Sequence, residues 1–211
     1  MKNKIILILS LLMLSSCIQY TVKKEDFFNL KENEKITGFK TTIDLEDDKF
    51  NASYTDRKQL YSFCSLILTE KENEIASLFN YLTDNDYVFF KTSSNDSKIY
   101  LTAVNCVQQR FVYAKDRIKK IYLTIADVKD GKKVNYGGDI EIDWTPDTFK
   151  FSDLFRLGNL GVQDKGTLGI KVKDEFKDYQ NYLSKYYGVN KNDIGNITDK
   201  SLLKNPKLFR E

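Results

Sequence analysis

Apolar and polar residues alternate over most of this chain, which restricts it to a fold built mainly of strands. A period of two places one face of a pleated strand on a core and the other in water. The pattern is clearest over residues 121–144. Ile121, Leu123 and Ile125 alternate with polar or small residues, and Asp130-Gly131 supplies the dipeptide of a primed turn. Val134, Tyr136, Ile140, Ile142 and Trp144 are then expected on one face of the return strand, with a bulge at Gly137-Gly138. Phe39, Thr41, Ile43 and Leu45 predict a strand that turns through residues 46–49 into a partner carrying Phe50, Ala52 and Tyr54. Residues 60–68 (LYSFCSLIL) are apolar on both parities, which fits a strand buried on both faces or a helical segment. We read them as a strand. Further strands are expected over residues 87–91, around Ile99, Leu101 and Ala103, around Val107, Phe111 and Tyr113, and over Leu168, Ile170 and Val172.

Helical spacing appears twice. Thr69 and Glu72 form a capping-box pattern ahead of Ile75, Leu78, Phe79 and Leu82, predicting a helix over residues 70–83. Residues 174–187 place Phe176, Tyr179, Tyr182, Leu183, Tyr186 and Tyr187 on one arc and stop at Gly188, the residue type of a helix C-terminal cap. About eight strands with two main helices inserted late and separately give an α+β fold with a largely antiparallel sheet.

The N-terminus is of a different kind. Lys2 and Lys4 precede residues 5–14 (IILILSLLML), and Leu14-Ser15-Ser16-Cys17 follows. A positive start, a short apolar run and small residues before a cleavage point are the parts of a secretory signal. Ten residues are half of the roughly 20 that a stable bilayer-spanning helix needs. The tetrapeptide resembles a bacterial lipobox. That resemblance implies cleavage before Cys17, acylation of its thiol and an N-terminus held on a membrane by lipid. The opening, together with a composition rich in Lys and Asn and nearly without Pro, resembles the outer-surface lipoproteins of Lyme-group spirochaetes. This implies export and anchoring at a cell envelope, in an outer membrane whose surface or periplasmic side is left open. The expected organisation is a signal peptide at 1–16, a lipidated cysteine and short tether at 17–26, one domain at 27–189 and a polar tail at 190–211. Nine residues from Ile18 to Asp26 reach at most about 30 Å, so the domain is expected close to the lipid.

Charge and residue types exclude several function classes. The first sixteen residues hold two of the 33 basic residues and none of the 30 acidic ones, leaving the remainder one positive charge from neutral. A nucleic-acid partner, which calls for a clear basic excess, is not expected. The chain has no histidine, which removes Ser-His-Asp and Cys-His catalysis and His-containing zinc sites. We expect no enzyme activity, no cofactor and no bound metal.

With Cys17 spent on lipid, Cys64 and Cys106 remain as an even pair in an exported chain, either as a disulfide or as two packed thiols. Asp139, Glu141 and Asp143 share one strand face. They suit a hard cation, an acid and base pair, or a solvated outer face, and the last explains the alternation fully. Lys129, Lys132 and Lys133 can meet acidic lipid headgroups or glycosaminoglycan, or simply solvate a turn. Thirteen tyrosines are many for a core alone, and Tyr182, Tyr186 and Tyr187 are candidates for contact with a protein partner, although a sheet-covering helix uses the same arc. The expected function is a non-enzymatic binding or surface-antigen lipoprotein. The alternatives are a periplasm-facing lipoprotein that aids envelope assembly or carries a small ligand, and a histidine-free hydrolase.

Overall fold

The glycine pair inside the longest-patterned strand decides how the layers are arranged. The computed structural model describes residues 22–45, 63–70, 80–81, 87–109, 114–145, 162–163 and 166–210. In chain order the strands are β1 (Lys35–Leu45), β2 (Phe63–Thr69), β3 (Asn80–Tyr81), β4 (Tyr87–Thr92), β5 (Lys98–Gln109), β6 (Ala114–Asp127), β7 (Val134–Thr145), β8 (Val162–Gln163), β9 (Thr167–Lys173), β10 (Ile194–Asn196) and β11 (Lys207–Phe209). The helices are α1 (Phe176–Tyr187) and α2 (Lys200–Lys204), and a 3-10 turn covers Lys24–Phe27. The fold is α+β with largely antiparallel sheets. One sheet runs β11-β9-β7-β1-β4, with β10 pairing the first residues of β7, and the other runs β3-β2-β5-β6-β8.

The sheets stack face to face, with helix α1 on the outer face of the first. Between them lies a core of Phe39, Val88, Ile140, Ile142, Trp144, Leu168, Ile170 and Val172 from one sheet and Leu66, Leu68, Ile99, Leu101, Val104, Ile121 and Ile125 from the other. A second cluster, with Ile36, Tyr87, Phe89, Val134 and Tyr136 on the sheet and Tyr179 and Leu183 on α1, fills the layer beneath the helix. Gly137 is the extra residue where β7 meets β1: Gly38 pairs with Tyr136, and Phe39 pairs with Gly138. Gly138 has φ 116°, a left-handed backbone that favours glycine. One inserted residue exchanges the two faces. Val134 and Tyr136 therefore lie under α1, while Ile140, Ile142 and Trp144 face the opposite sheet, so the expected single face is two.

Other expectations change for non-local reasons. The turn at Asp130-Gly131 closes with Gly131 N–H donating to Val128 O at 3.0 Å, but β6 and β7 belong to different sheets and do not form a hairpin. Asn80–Tyr81 is a strand paired with Ser65 and Leu66 rather than the end of a helix, and Glu70 turns its carboxylate to Ser93 and Ser97. Residues 71–79 and 82–86 lie outside the described residues, as do the partner expected at 50–54, Phe111 and Tyr113. β5 runs unbroken to Gln109 where two strands were expected. The expected tail is built into the fold. Its β10 extends beside β7, β11 pairs with β9, and Ile194 and Leu202 are buried.

Candidate functional site

α1 forms where the sequence predicts and ends at Gly188 with φ 77°, whose N–H donates to Leu183 O. Its buried arc meets rings from three other segments. Tyr87 and Phe89 come from β4, Tyr136 from β7 and Phe27 from the 3-10 turn. Tyr179 is fully buried, 5.4 Å from the Tyr87 ring and 5.0 Å from Tyr136, and its hydroxyl donates to Asn135 O at 3.0 Å. Tyr182 stacks on Tyr87 at 4.6 Å, and Tyr187 sits 4.8 Å from Phe27. Burial pushes the phenols of Tyr87 and Tyr187 up to about 12 and raises that of Tyr179 well above its ordinary value.

Of the three tyrosines expected at a partner interface, Tyr182 and Tyr187 are thus half-buried members of this aromatic layer. Tyr186 is 48% exposed, with the Lys185 ammonium 4.8 Å over its ring. Phe28, 61% exposed, reaches the same end of α1, its ring edge 3.9 Å from where a Cβ on Gly188 would lie. Val22, the first described residue, is buried in this layer too. Cys17 itself lies outside the described residues.

The bulge at Gly137-Gly138 also builds the polar neighbour of that layer. By restoring the outward parity at position 139 it sets Asp139 on the face of Tyr136, whose hydroxyl donates to the carboxylate at 2.6 Å and accepts from the Glu175 N–H at 2.9 Å. Lys40 stands 3.9 Å away. Burial raises the carboxyl of Asp139 above the usual range, against the lowering effects of the Tyr136 hydrogen bond and Lys40. Glu141 pairs with Lys171 at 3.9 Å and with Lys173. Asp143 is exposed and lies opposite Asp44. The three carboxylates share a face, as the alternation predicts, but run from buried to exposed, and two of them are held by lysines. Among the described residues no group of three Cys, Asp or Glu side chains is placed to hold a metal ion.

Two of the lysines of the 128–133 turn, Lys132 and Lys133, are occupied as well, while Lys129 is exposed. Lys133 donates to the carbonyls of Lys31 and Glu32, Lys132 to that of Asn192, and the buried Lys35 to that of Val128. They tie the turn to its neighbours. Lys119, not singled out by residue type, is different: on β6 opposite Val104, it is buried and its ammonium has no hydrogen-bond partner among the described residues. Its alternation with Ile121 was the available signal, since a lysine in phase with core residues is inward by parity.

Cys64 and Cys106 are paired in register on β2 and β5. No helix among the described residues is long and apolar enough to cross a membrane. Comparison with protein-family models, with curated proteins and with solved structures finds no match.

Proposed function

We propose that this chain is a lipid-anchored lipoprotein of the cell envelope whose α+β domain is a non-enzymatic binding module carried close to the membrane. The carrying observation is Cys17, two serines behind the short apolar run of residues 5–14. Val22, five residues on, is already part of the aromatic layer, and this supports the short reach: a stretch of five residues spans at most about 18 Å. A domain held so close has one end apposed to lipid headgroups. Phe28, Tyr186 and Lys185, gathered at the C-terminal end of α1, suit such an interface with one apolar and one wet side. A protein partner then meets the remaining surface. Phase separation in a cloud-point detergent tests the anchor: the wild-type protein partitions to the detergent phase and Cys17→Ala to the aqueous phase. Equal partitioning of the two would remove the proposal. Protease shaving of intact cells assigns the side, with loss of the domain marking a surface protein and survival a periplasmic one.

The ligand-carrying alternative draws support from Lys119. It is buried with no hydrogen-bond partner among the described residues, and a buried cation costs several kcal/mol unless an anion meets it. A carboxylate-headed amphiphile is the ligand class that would answer both the charge and the apolar surroundings. Titration calorimetry with oleate, on wild type and on Lys119→Met, checks this. Binding lost in the variant supports it, and no binding to wild type ends it.

A further inference from the structure

A bulge brings the two remaining cysteines together. The β2–β5 ladder begins with Thr69 opposite Tyr100 and Leu68 opposite Leu101. Carried straight on, that register would set Cys64 opposite Asn105, and the two cysteines would sit on opposite faces of the sheet. The register instead shifts between Ile67 and Leu68. Thr102 is the extra residue on β5, held by its hydroxyl donating to Ile67 O at 3.1 Å, and from Ala103 onward the pairing runs to Cys64 opposite Cys106. Directly opposed residues of an antiparallel pair share a face, with Cα atoms about 4.5 to 5.5 Å apart. That lies within the roughly 4.4 to 6.8 Å a disulfide spans.

We propose that Cys64 and Cys106 form a cross-strand disulfide that fastens β2 to β5. The strand it fastens has little else on its outer edge: among the described residues β2 is covered there only by the two residues of β3. Oxidation proceeds by exchange with an external disulfide, either an oxidised dithiol protein or oxidised glutathione. One cysteine thiolate attacks the external S–S bond and forms a mixed disulfide. The second thiolate then displaces the external sulfur. Two protons leave the cysteines, two electrons pass to the external disulfide, and it departs as two thiols. The bond does not depend on Cys17 being acylated.

The test uses the mature chain, both purified from its envelope without reductant and refolded with oxidised glutathione, alkylated before and after reduction and mapped by mass spectrometry. The expected result is one cross-linked peptide pair containing Cys64 and Cys106, with neither residue alkylated before reduction. Reductant should then lower the melting temperature by about 8 to 16 °C, from a closed loop of about 43 residues in a domain of this size. Two freely alkylated thiols after both treatments, or a bond from either residue to Cys17 or to a second copy, would overturn the proposal. A second chain, carrying Asn105→Cys with Cys106→Ser, tests the bulge. Its new thiol should stay reduced under the same oxidation, and cross-linking to Cys64 as readily as in wild type would show the register argument to be wrong.

Discussion

Replacing Gly38 by alanine places a methyl group where α1 comes closest to the sheet. A Cβ there would lie 2.6 Å from Cε2 and 2.7 Å from Cζ of Tyr179, and nearer still to its hydroxyl oxygen. Ordinary carbon contacts fall at about 3.5 to 4.0 Å, so the overlap is close to 1 Å. The ring has nowhere to go, because it is fully buried between Tyr87 and Tyr136 and tied to Asn135 O. Overpacking of this kind costs about 1 to 3 kcal/mol. Displacing the ring would add a lost hydrogen bond of about 1 kcal/mol. We expect Gly38→Ala to cost on the order of 3 kcal/mol, opposite in sign to the gain of roughly 0.5 to 1 kcal/mol that alanine brings to an unobstructed strand. Urea unfolding with linear extrapolation reads this directly. In a Tyr179→Leu background the colliding atoms are gone, so the cost of the alanine should fall below about 1 kcal/mol and the two changes should be strongly non-additive. A neutral or stabilising Gly38→Ala, or an equal cost in both backgrounds, would refute the described seating of α1.

Three further outcomes are expected. The raised carboxyl of Asp139 makes the folded state hold its proton more tightly than the unfolded chain, so the stability it contributes is complete below the ordinary carboxylate value and lost as pH rises through the raised one. Asp139→Asn should flatten that part of the stability profile, and an unchanged profile would contradict it. Tyr87 and Tyr187, raised to about 12, stabilise the fold fully below the ordinary phenol value of about 10 and lose that contribution as pH climbs toward 12. Tyrosinate absorbance should therefore include a late component near 12 that appears with loss of near-ultraviolet dichroism, and its absence would disagree. Deleting residues 190–211 removes two strands from the first sheet, with buried Ile194, and buried Leu202 on α2, and should cost at least about 3 kcal/mol or abolish folding, measured by the same urea assay.

Local chemistry was legible where one element decides its own fate. The stop of α1 at Gly188, the strand character of β2, the inward residues of β9 and the bulge at Gly137-Gly138 all follow from residue type and period. What the bulge does was not legible from the alternation alone, because an inserted residue reverses the meaning of every later parity. The same holds for Thr102, which carries no turn-forming signal and yet sets Cys64 against Cys106. Pairing choices made at a distance were also hidden. Asn80–Tyr81 continues a helical period but is taken up at the edge of β2, and β10 and β11 are three residues each, too short to show a period before β7 and β9 offer them an edge. At the aromatic end, the sequence gives the arc of tyrosines but not which ring the sheet leaves outside. Tyr186 stands out because Tyr182 and Tyr187 are taken by Tyr87, Phe89 and Phe27.

Metabolic labelling with a palmitate analogue, followed by intact-mass analysis of the purified protein, tests the lipid anchor most directly. The wild-type chain should carry label on a mature N-terminus that begins at Cys17 and lacks the first sixteen residues, and Cys17→Ala should carry none. Equal label in the variant, or an unmodified cysteine in the wild-type protein, would contradict the anchor and with it the placement of the domain at a membrane.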